Sequence, residues 1–317
     1  MPQSLVVGLS GGLDSTVLLH LLAQVKENNP LAFELSAVHV HHGLQPAADD
    51  FAAHCQALCA QLKVPLQILR VIIPSQEISS LGVEAAARKH RYAAIAVHLP
   101  ENAVLVLAHH RDDLLETALL QWVRGAGLEG LSAMTTFSDM TVAGKTFSRW
   151  RPLLDEDRDS LLAYAQRHGL SWVEDPSNAS PEFARNRIRQ EVMPVLKSLR
   201  EGAGTAMARS IAHLQTAREL LDSLTEQALR TCQVDLEGAR GIDLAKLAIL
   251  GQPMAARVVR AWLKKEGAPT PPARRLEEFL RQVEQAREPF AEMELADPLT
   301  HEHWTVFRSR DRLGLRR

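Results

Sequence analysis

The feature that most constrains this chain is an alternation. Short apolar runs rich in Val, Ile and Leu, at residues 5–7, 35–40, 66–73 and 103–108, are each followed by a longer helical pattern, at 15–25, 47–62, 83–97 and 112–123. Strands alternating with helices of about a dozen residues predict an α/β fold, a doubly wound parallel sheet. In such sheets ligands bind beyond the carboxyl ends of the strands. The polar oddities of the first half all fall there: "SGGLDS" after the first strand, "HVHHGL" at the end of the second and "HHRDD" after the fourth.

With 317 residues, the chain suits a larger domain plus a smaller one. Residues 140–150 suggest a hairpin turning at "AGK". A helix is expected over 157–168, then the loop "WVEDPSN" and a further helix ending near Leu199. The stretch "REGAGTA", residues 200–206, reads as a linker. This predicts a first domain over 1–200 and a smaller, mostly helical domain over 207–317, closing on the strand-like "WTVFRSR".

No apolar run reaches the roughly 18 residues of a membrane span. The first residues lack the basic flank and small-residue cleavage site of a signal peptide, which points to a cytoplasmic protein. Cys55, Cys59 and Cys232 are too few for a disulfide framework and lack C-x-x-C spacing, so small buried apolar residues are expected. Residues 1–180 hold 13 Lys and Arg against 19 Asp and Glu, and the remainder 23 against 19. A basic second half on an acidic first half suits a polyanion-binding surface beside a metal-using site; ordinary solvated helix faces give the same split.

Two glycine clusters compete for a phosphate. "GAGLEG", within "RGAGLEG" at 124–130, has the G-x-G-x-x-G spacing, but it follows a helical pattern, so its first glycine stands where a helix ends. "GLSGGLDST" lies between a strand and a helix, the setting in which backbone N–H groups and the helix dipole meet an anion. It lacks the lysine and spacing of a Walker A loop.

Ser10-Gly11-Gly12-Leu13-Asp14-Ser15 resembles the SGGxDS motif of the PP-loop, or N-type, ATP pyrophosphatases. Five more segments come in order: "HVHHGLQPAAD", "GVEAAARKHRY", "AHHRDDLLET", "RGAGLEGLSAM" and "WVEDPSNASPEFARNRIR". Together with "RPLL" at 151–154 they resemble the tRNA(Ile)-lysidine synthetases, densely over about the first 200 residues. The resemblance implies a PP-loop catalytic domain over 1–200 and a tRNA-binding accessory domain over 207–317. It also implies an ATP- and magnesium-dependent ligase. Such an enzyme adenylates the C2 oxygen of the wobble cytidine in a tRNA(Ile) with anticodon CAU. Free L-lysine then displaces AMP to give lysidine. The oligomeric state is left open, a homodimer included.

Residues follow from that chemistry. Ser10 to Ser15, with His39, are expected at ATP, and Asp14 as the magnesium ligand; a helix N-cap is its bland alternative. Asp113 and Glu116 are expected to serve catalysis, holding the lysine ammonium or sharing the metal, with Asp112 a lysine or AMP contact. First-turn acids also simply complement a helix dipole. Arg88 and Arg91, on one helix face with Glu84, are expected at substrate or AMP phosphate. Arg124, Arg185, Arg187 and Arg189 are expected on tRNA. His39, His41, His42, His109 and His110 invite a zinc reading, but no usual ligand spacing completes it; hydrogen bonding at the sheet edge is favoured. A PP-loop thiolation enzyme and a non-catalytic ATP-binding protein are the rival readings. Cys55 and Cys59 have the wrong spacing for sulfur transfer.

Overall fold

A computed structural model describes residues 3–43, 48–174, 184–236, 239–285, 291–296 and 303–317. Residues 44–47 of the histidine-rich segment and 175–183 of the "WVEDPSN" segment lie outside them. The chain divides into two compact units, Met1–Gln215 and Thr216–Arg317.

The first unit is built on a six-stranded sheet. Its strands are β1 (Gln3–Gly8), β2 (Phe33–His41), β3 (Leu66–Arg70), β4 (Val104–Val106), β5 (Phe137–Val142) and β6 (Lys145–Trp150), in the spatial order β3-β2-β1-β4-β6-β5. Leu5, Val6 and Val7 are all buried, so both faces of β1 are covered; this is why the sequence reads as a continuous apolar run rather than an alternation. Helices α1 (Leu13–Asn28) and α2 (Ala48–Leu62) cover one face with Val7, Leu18, Leu19 and Leu58. They are joined there by α7 (Arg158–Arg167) through Leu161 and Ala165. Helix α4 (Val83–His98) covers the other face with Tyr92, Ile95 and Ala96 against Val6 and Leu105. A short helix, α3 (Ser75–Leu81), precedes α4.

The expected wholly parallel sheet is corrected at one edge. β5 runs antiparallel to β6, so the sheet is mixed and mostly parallel. The cause is local: Ala143 and Gly144 have φ of 49° and 79°, the paired positive values of a two-residue hairpin turn, and such a turn joins only antiparallel strands.

The second correction concerns the C-terminal unit, expected to be mostly helical. Residues from 233 onward include a five-stranded antiparallel sheet in the order β7-β8-β11-β10-β9: β7 (Gln233–Leu236), β8 (Ala239–Asp243), β9 (Glu292–Ala296), β10 (His303–Ser309) and β11 (Arg312–Arg316). Helices α11 (Leu244–Ile249), α12 (Gln252–Lys265) and α13 (Ala273–Gln285) bury Val258, Trp262, Leu276 and Phe279 with Met293, Val306 and Leu313 of the strands. The Trp262 indole N–H donates to the Arg240 carbonyl at 3.1 Å, so the largest buried side chain leaves no polar atom unpaired. The long helix α10 (Ala203–Cys232) carries the division between the units.

Helix α7 starts at a side-chain cap. The Asp157 carboxylate accepts from the Ser160 N–H at 2.8 Å, and that bond, first among several influences, lowers its pKa. Asp157→Ala is therefore expected to destabilise the chain by about 0.5–2 kcal/mol at neutral pH. The lowered pKa makes this contribution complete above the ordinary carboxylate pKa of about 4, and it is lost as pH falls through the folded value. Urea unfolding at neutral and acid pH checks both: the gap between wild type and variant narrows in acid.

Candidate active site

The strand order reverses at β1: β2 lies on one side of it and β4 on the other, both parallel to it. The loops leaving β1 and β4 therefore diverge at the carboxyl edge and leave a crevice between them, the place where open α/β sheets bind ligands.

The loop after β1 is Leu9 to Gly12. Gly11 has φ of +89°, and a Cβ there would lie 3.2 Å from Cys55 Sγ and 3.3 Å from Phe51, so glycine is required twice over. Ser15 Oγ accepts from the N–H groups of Ser10 and Gly11 at 3.2 Å each and lies 3.0 Å from Ser10 Oγ. The two serines hold the turn from within. His39, expected at the nucleotide, is buried in this structure; its Nδ1 lies 2.8 Å from the Leu9 carbonyl and 3.5 Å from Cys55 Sγ, which anchors the root of the loop.

Asp14, in the first turn of α1, meets the loop after β4 through a histidine that sequence reasoning left among the hydrogen-bonding candidates. His110 is 1% exposed and precedes helix α5 (Arg111–Val123). Its Nε2 lies 3.6 Å from Asp14 Oδ2 and 3.5 Å from Asp113 Oδ2, and its Nδ1 lies 3.7 Å from Asp112 Oδ2. Burial alone lowers its pKa, but contact with Asp14 and the charges of Asp113 and Asp112 outweigh that and raise it. The His110 ring, among three carboxylates, ties the loop after β1 to the loop after β4.

The acidic helix start is already occupied by cations. The Asp112 carboxylate receives Lys197 Nζ at 2.6 Å and the Arg158 N–H at 3.1 Å. Asp113 accepts from the His110 N–H at 3.1 Å and from Arg185 Nη2 at 2.8 Å. Burial opposes the charge of both aspartates, yet these partners hold both pKa values below the usual range. Glu116 has no exposed surface; its oxygens accept from Arg185 Nε at 2.7 Å and from Arg189 Nε and Nη2 at 2.6 and 3.1 Å. Glu116 thus faces two guanidinium groups.

Those arginines come from helix α8 (Ala184–Arg187) and the π-helical turn Ile188–Val192 that follows it. Arg185 and Arg189 stand four apart and share a face. Of the run expected on tRNA, they turn in to the carboxylates, and Arg187 stays out, 63% exposed and 3.6 Å from Glu191. The 185/189 spacing is the sequence signal that separates them. Helix α9 (Met193–Ser198) then delivers Lys197. Arg124 is exposed at the end of α5, ahead of Gly125 at φ +71°, so "RGAGLEG" ends that helix and then enters a four-residue helix over Leu128–Leu131. Arg88 and Arg91 on α4 stack over Tyr92 at 5.1 and 5.5 Å. Burial first, then the charges of Arg151, Arg185 and Arg88, push His109 down to about 3 against the opposing charge of Asp113.

Fold, crevice and loop together define a PP-loop domain. Residues 1–196 match the model of the PP-loop domain, and residues 242–313 match that of the TilS substrate binding domain. A tRNA(Ile)-lysidine synthase of Pseudomonas aeruginosa is 47% identical over 264 residues, 81% of this chain and 58% of the relative. One of Pseudomonas fluorescens is 45% identical over 262 residues, covering 81% and 57%. The chain belongs to the tRNA(Ile)-lysidine synthase family, and spans somewhat under three fifths of the length of these two relatives. Among solved structures, the U34-tRNA thiolase NcsA of Methanococcus maripaludis matches 68% of this chain and 72% of its own, with TM-score 0.53 and 17% identity, a likeness of fold. The PP-loop domain implies use of ATP. Among the described residues, no helix is long and apolar enough to cross a membrane.

Removing the buried Glu116 leaves two half-buried guanidinium groups without their shared anion. Glu116→Ala is expected to destabilise by about 3–5 kcal/mol, and Arg189→Ala added to it to cost far less than it does alone. Denaturant unfolding of the four-member cycle measures this; strictly additive effects would contradict the network.

Proposed function

We propose that this chain ligates free L-lysine to C2 of the wobble cytidine of a tRNA(Ile) with anticodon CAU, consuming ATP. The observation that carries the reading is the joining of the SGGLDS loop to the acidic start of α5 through His110, which sets a phosphate cradle beside carboxylates and cations. In the reaction the cytidine O2 attacks the α-phosphorus of ATP and pyrophosphate leaves. The lysine ε-amine, losing a proton, then bonds to C2 and AMP departs with the oxygen.

The residues divide this work. Gly11 and Gly12 with Ser10 and Ser15 receive the pyrophosphate, since glycine lets oxygen atoms approach the backbone closely. Asp14 Oδ1 is buried without a partner, and a divalent cation suits such an atom. Among the described residues no three His, Cys, Asp or Glu side chains form a cage of their own, which fits magnesium held by one or two carboxylates plus phosphate oxygens. Asp14, with Asp113 beside it, would hold the ion. Magnesium there supplies charge neutralisation of the phosphates. Asp112 or Asp113 would take a lysine ammonium in place of its present partner, Lys197 or Arg185. Glu116 is a positioning residue that acts through Arg185 and Arg189. Arg88 and Arg91 suit nucleotide or substrate phosphate, and Arg124 and Arg187, both exposed, suit the tRNA backbone. In domain terms, residues 1–200 carry catalysis and 207–317 help to hold the tRNA.

Sulfur transfer is disfavoured by the thiols. Burial pushes Cys55 up to about 12 and Cys59 up to about 11, away from the thiolate a sulfur carrier needs.

The reading is tested by incubating the chain with ATP, magnesium, lysine and a CAU tRNA(Ile) transcript. Lysidine and AMP are expected to appear together; lysine-independent thiolation, or ATP binding without AMP, would sink it. Asp14→Asn is expected to keep the fold and lower AMP formation about a hundredfold or more. Arg187→Ala should lower the salt slope of tRNA binding by about one with turnover of saturated enzyme retained, whereas Arg185→Ala should act on turnover. Equal effects of the two arginines on the salt slope would refute their separation.

A further inference from the structure

One group of cations in the first unit has no carboxylate partner among the described residues. Phe147, Arg149 and Arg151 alternate along and just past β6, so they share a face. Phe147 is buried with Tyr92 and Ile95 of α4, and the arginines continue that column to the carboxyl end of the strand, where α4 brings Arg88 over the Tyr92 ring. Arg151 is 4% exposed. Burial first, then the charges of Arg149 and Arg88, push it down to about 10.

Neutral groups hold the two strand arginines in place. Ser138 Oγ accepts from Arg149 Nη2 at 3.1 Å and from Arg151 Nη1 at 3.2 Å, and the Thr135 carbonyl accepts from Arg151 Nη1 at 2.7 Å. The Nε atoms of both, and Nδ1 of adjacent His109, are buried without a partner. Among the described residues, no carboxylate lies within ion-pair distance of Arg88, Arg149 or Arg151, in contrast to Arg185 and Arg189 nearby. Arg151 is buried, Arg149 half-buried and Arg88 exposed at their edge; a buried guanidinium with like charges beside it and no counter-ion opposes folding, and a bound anion offsets that cost.

We infer that Arg88, Arg149 and Arg151, with His109 at their edge, form a site for a phosphate group, built from residues other than the SGGLDS loop. Guanidinium forks suit phosphate oxygens, and three of them match a phosphate's charge better than a single carboxylate's. The proposed ligation bears only on the source of the phosphate: the nucleotide's α-phosphate or the RNA backbone.

The test uses the full chain, with AMP and a CAU anticodon stem-loop RNA as separate probes in calorimetric titrations at two salt concentrations. The thermal midpoint is also measured without ligand. Arg149→Met is expected to weaken one probe by about tenfold or more, while the ligand-free midpoint stays or rises because one of three like charges is gone. Loss of AMP binding alone assigns the nucleotide. Loss of RNA binding alone, with the salt slope lowered by about one, assigns the backbone. Arg151→Lys, which keeps the charge without the fork, is expected to weaken the same probe to a smaller extent and guards against misfolding of the first variant. Unchanged affinities for both probes in both variants, or a fall in the ligand-free midpoint with affinities retained, would overturn the site. Neither readout involves lysine or turnover, so failure of the ligation assay and failure of this site are told apart.

Discussion

A carboxylate without exposed surface has to bring its cations inside with it. Glu116 is such a group, and much of the crevice is arranged around that requirement. Arg185 and Arg189 reach it from the helical segment around residues 184–192; Arg185 continues to Asp113, and Asp113 to His110 and Asp14. Two segments some seventy residues apart in sequence and a loop a hundred residues earlier are thereby tied into one charged chain. Net stabilisation from such a buried network is modest, because desolvation offsets most of the attraction; what it confers is a defined position for each charge.

That position matters because of where the sheet places it. With β2 and β4 flanking β1 on opposite sides, the loops after β1 and β4 diverge, and no side chain need fill the gap between them. Gly11 and Gly12 keep the β1 loop low, while α5 starts with two acids after a buried histidine at the other wall. The proposed ligands suit that arrangement: a polyphosphate on one wall would meet a cation on the other with their charges matched.

The α/β frame was legible because strands covered on both faces read as unbroken apolar runs, as at Leu5 to Val7. β5 and its partner were legible as a hairpin, but their consequence, an antiparallel edge, depends on which neighbour β6 chooses, and that is a long-range pairing with β4. The C-terminal sheet was missed although "EMELA" of β9 alternates cleanly, with Met293 and Leu295 buried and the acids exposed. Its strands are only four to seven residues long, and three helices split them into two groups, so of them only β10, as the strand-like "WTVFRSR", stood out. At the site, the loop and the acids were readable from their types and setting. The inward turn of Arg185 and Arg189 was readable only by giving "ARNRIR" a helical period. His110 was not, since its role comes from carboxylates on two different helices.

Charge counting over halves of the chain does not show which charges are matched, for the same reason. Residues 1–180 carry the net negative charge, yet they hold Arg88, Arg149 and Arg151, which lack carboxylate partners among the described residues. The net positive remainder contributes Arg185, Arg189 and Lys197, whose charges are spent on Asp112, Asp113 and Glu116. A sum over sequence counts every charge equally, whereas an anion responds to the cations left unmatched within about a Debye length, roughly 8 Å at physiological salt. Recognition in this crevice is therefore set by pairing, and pairing follows from which helix faces and strand faces the fold turns toward one another.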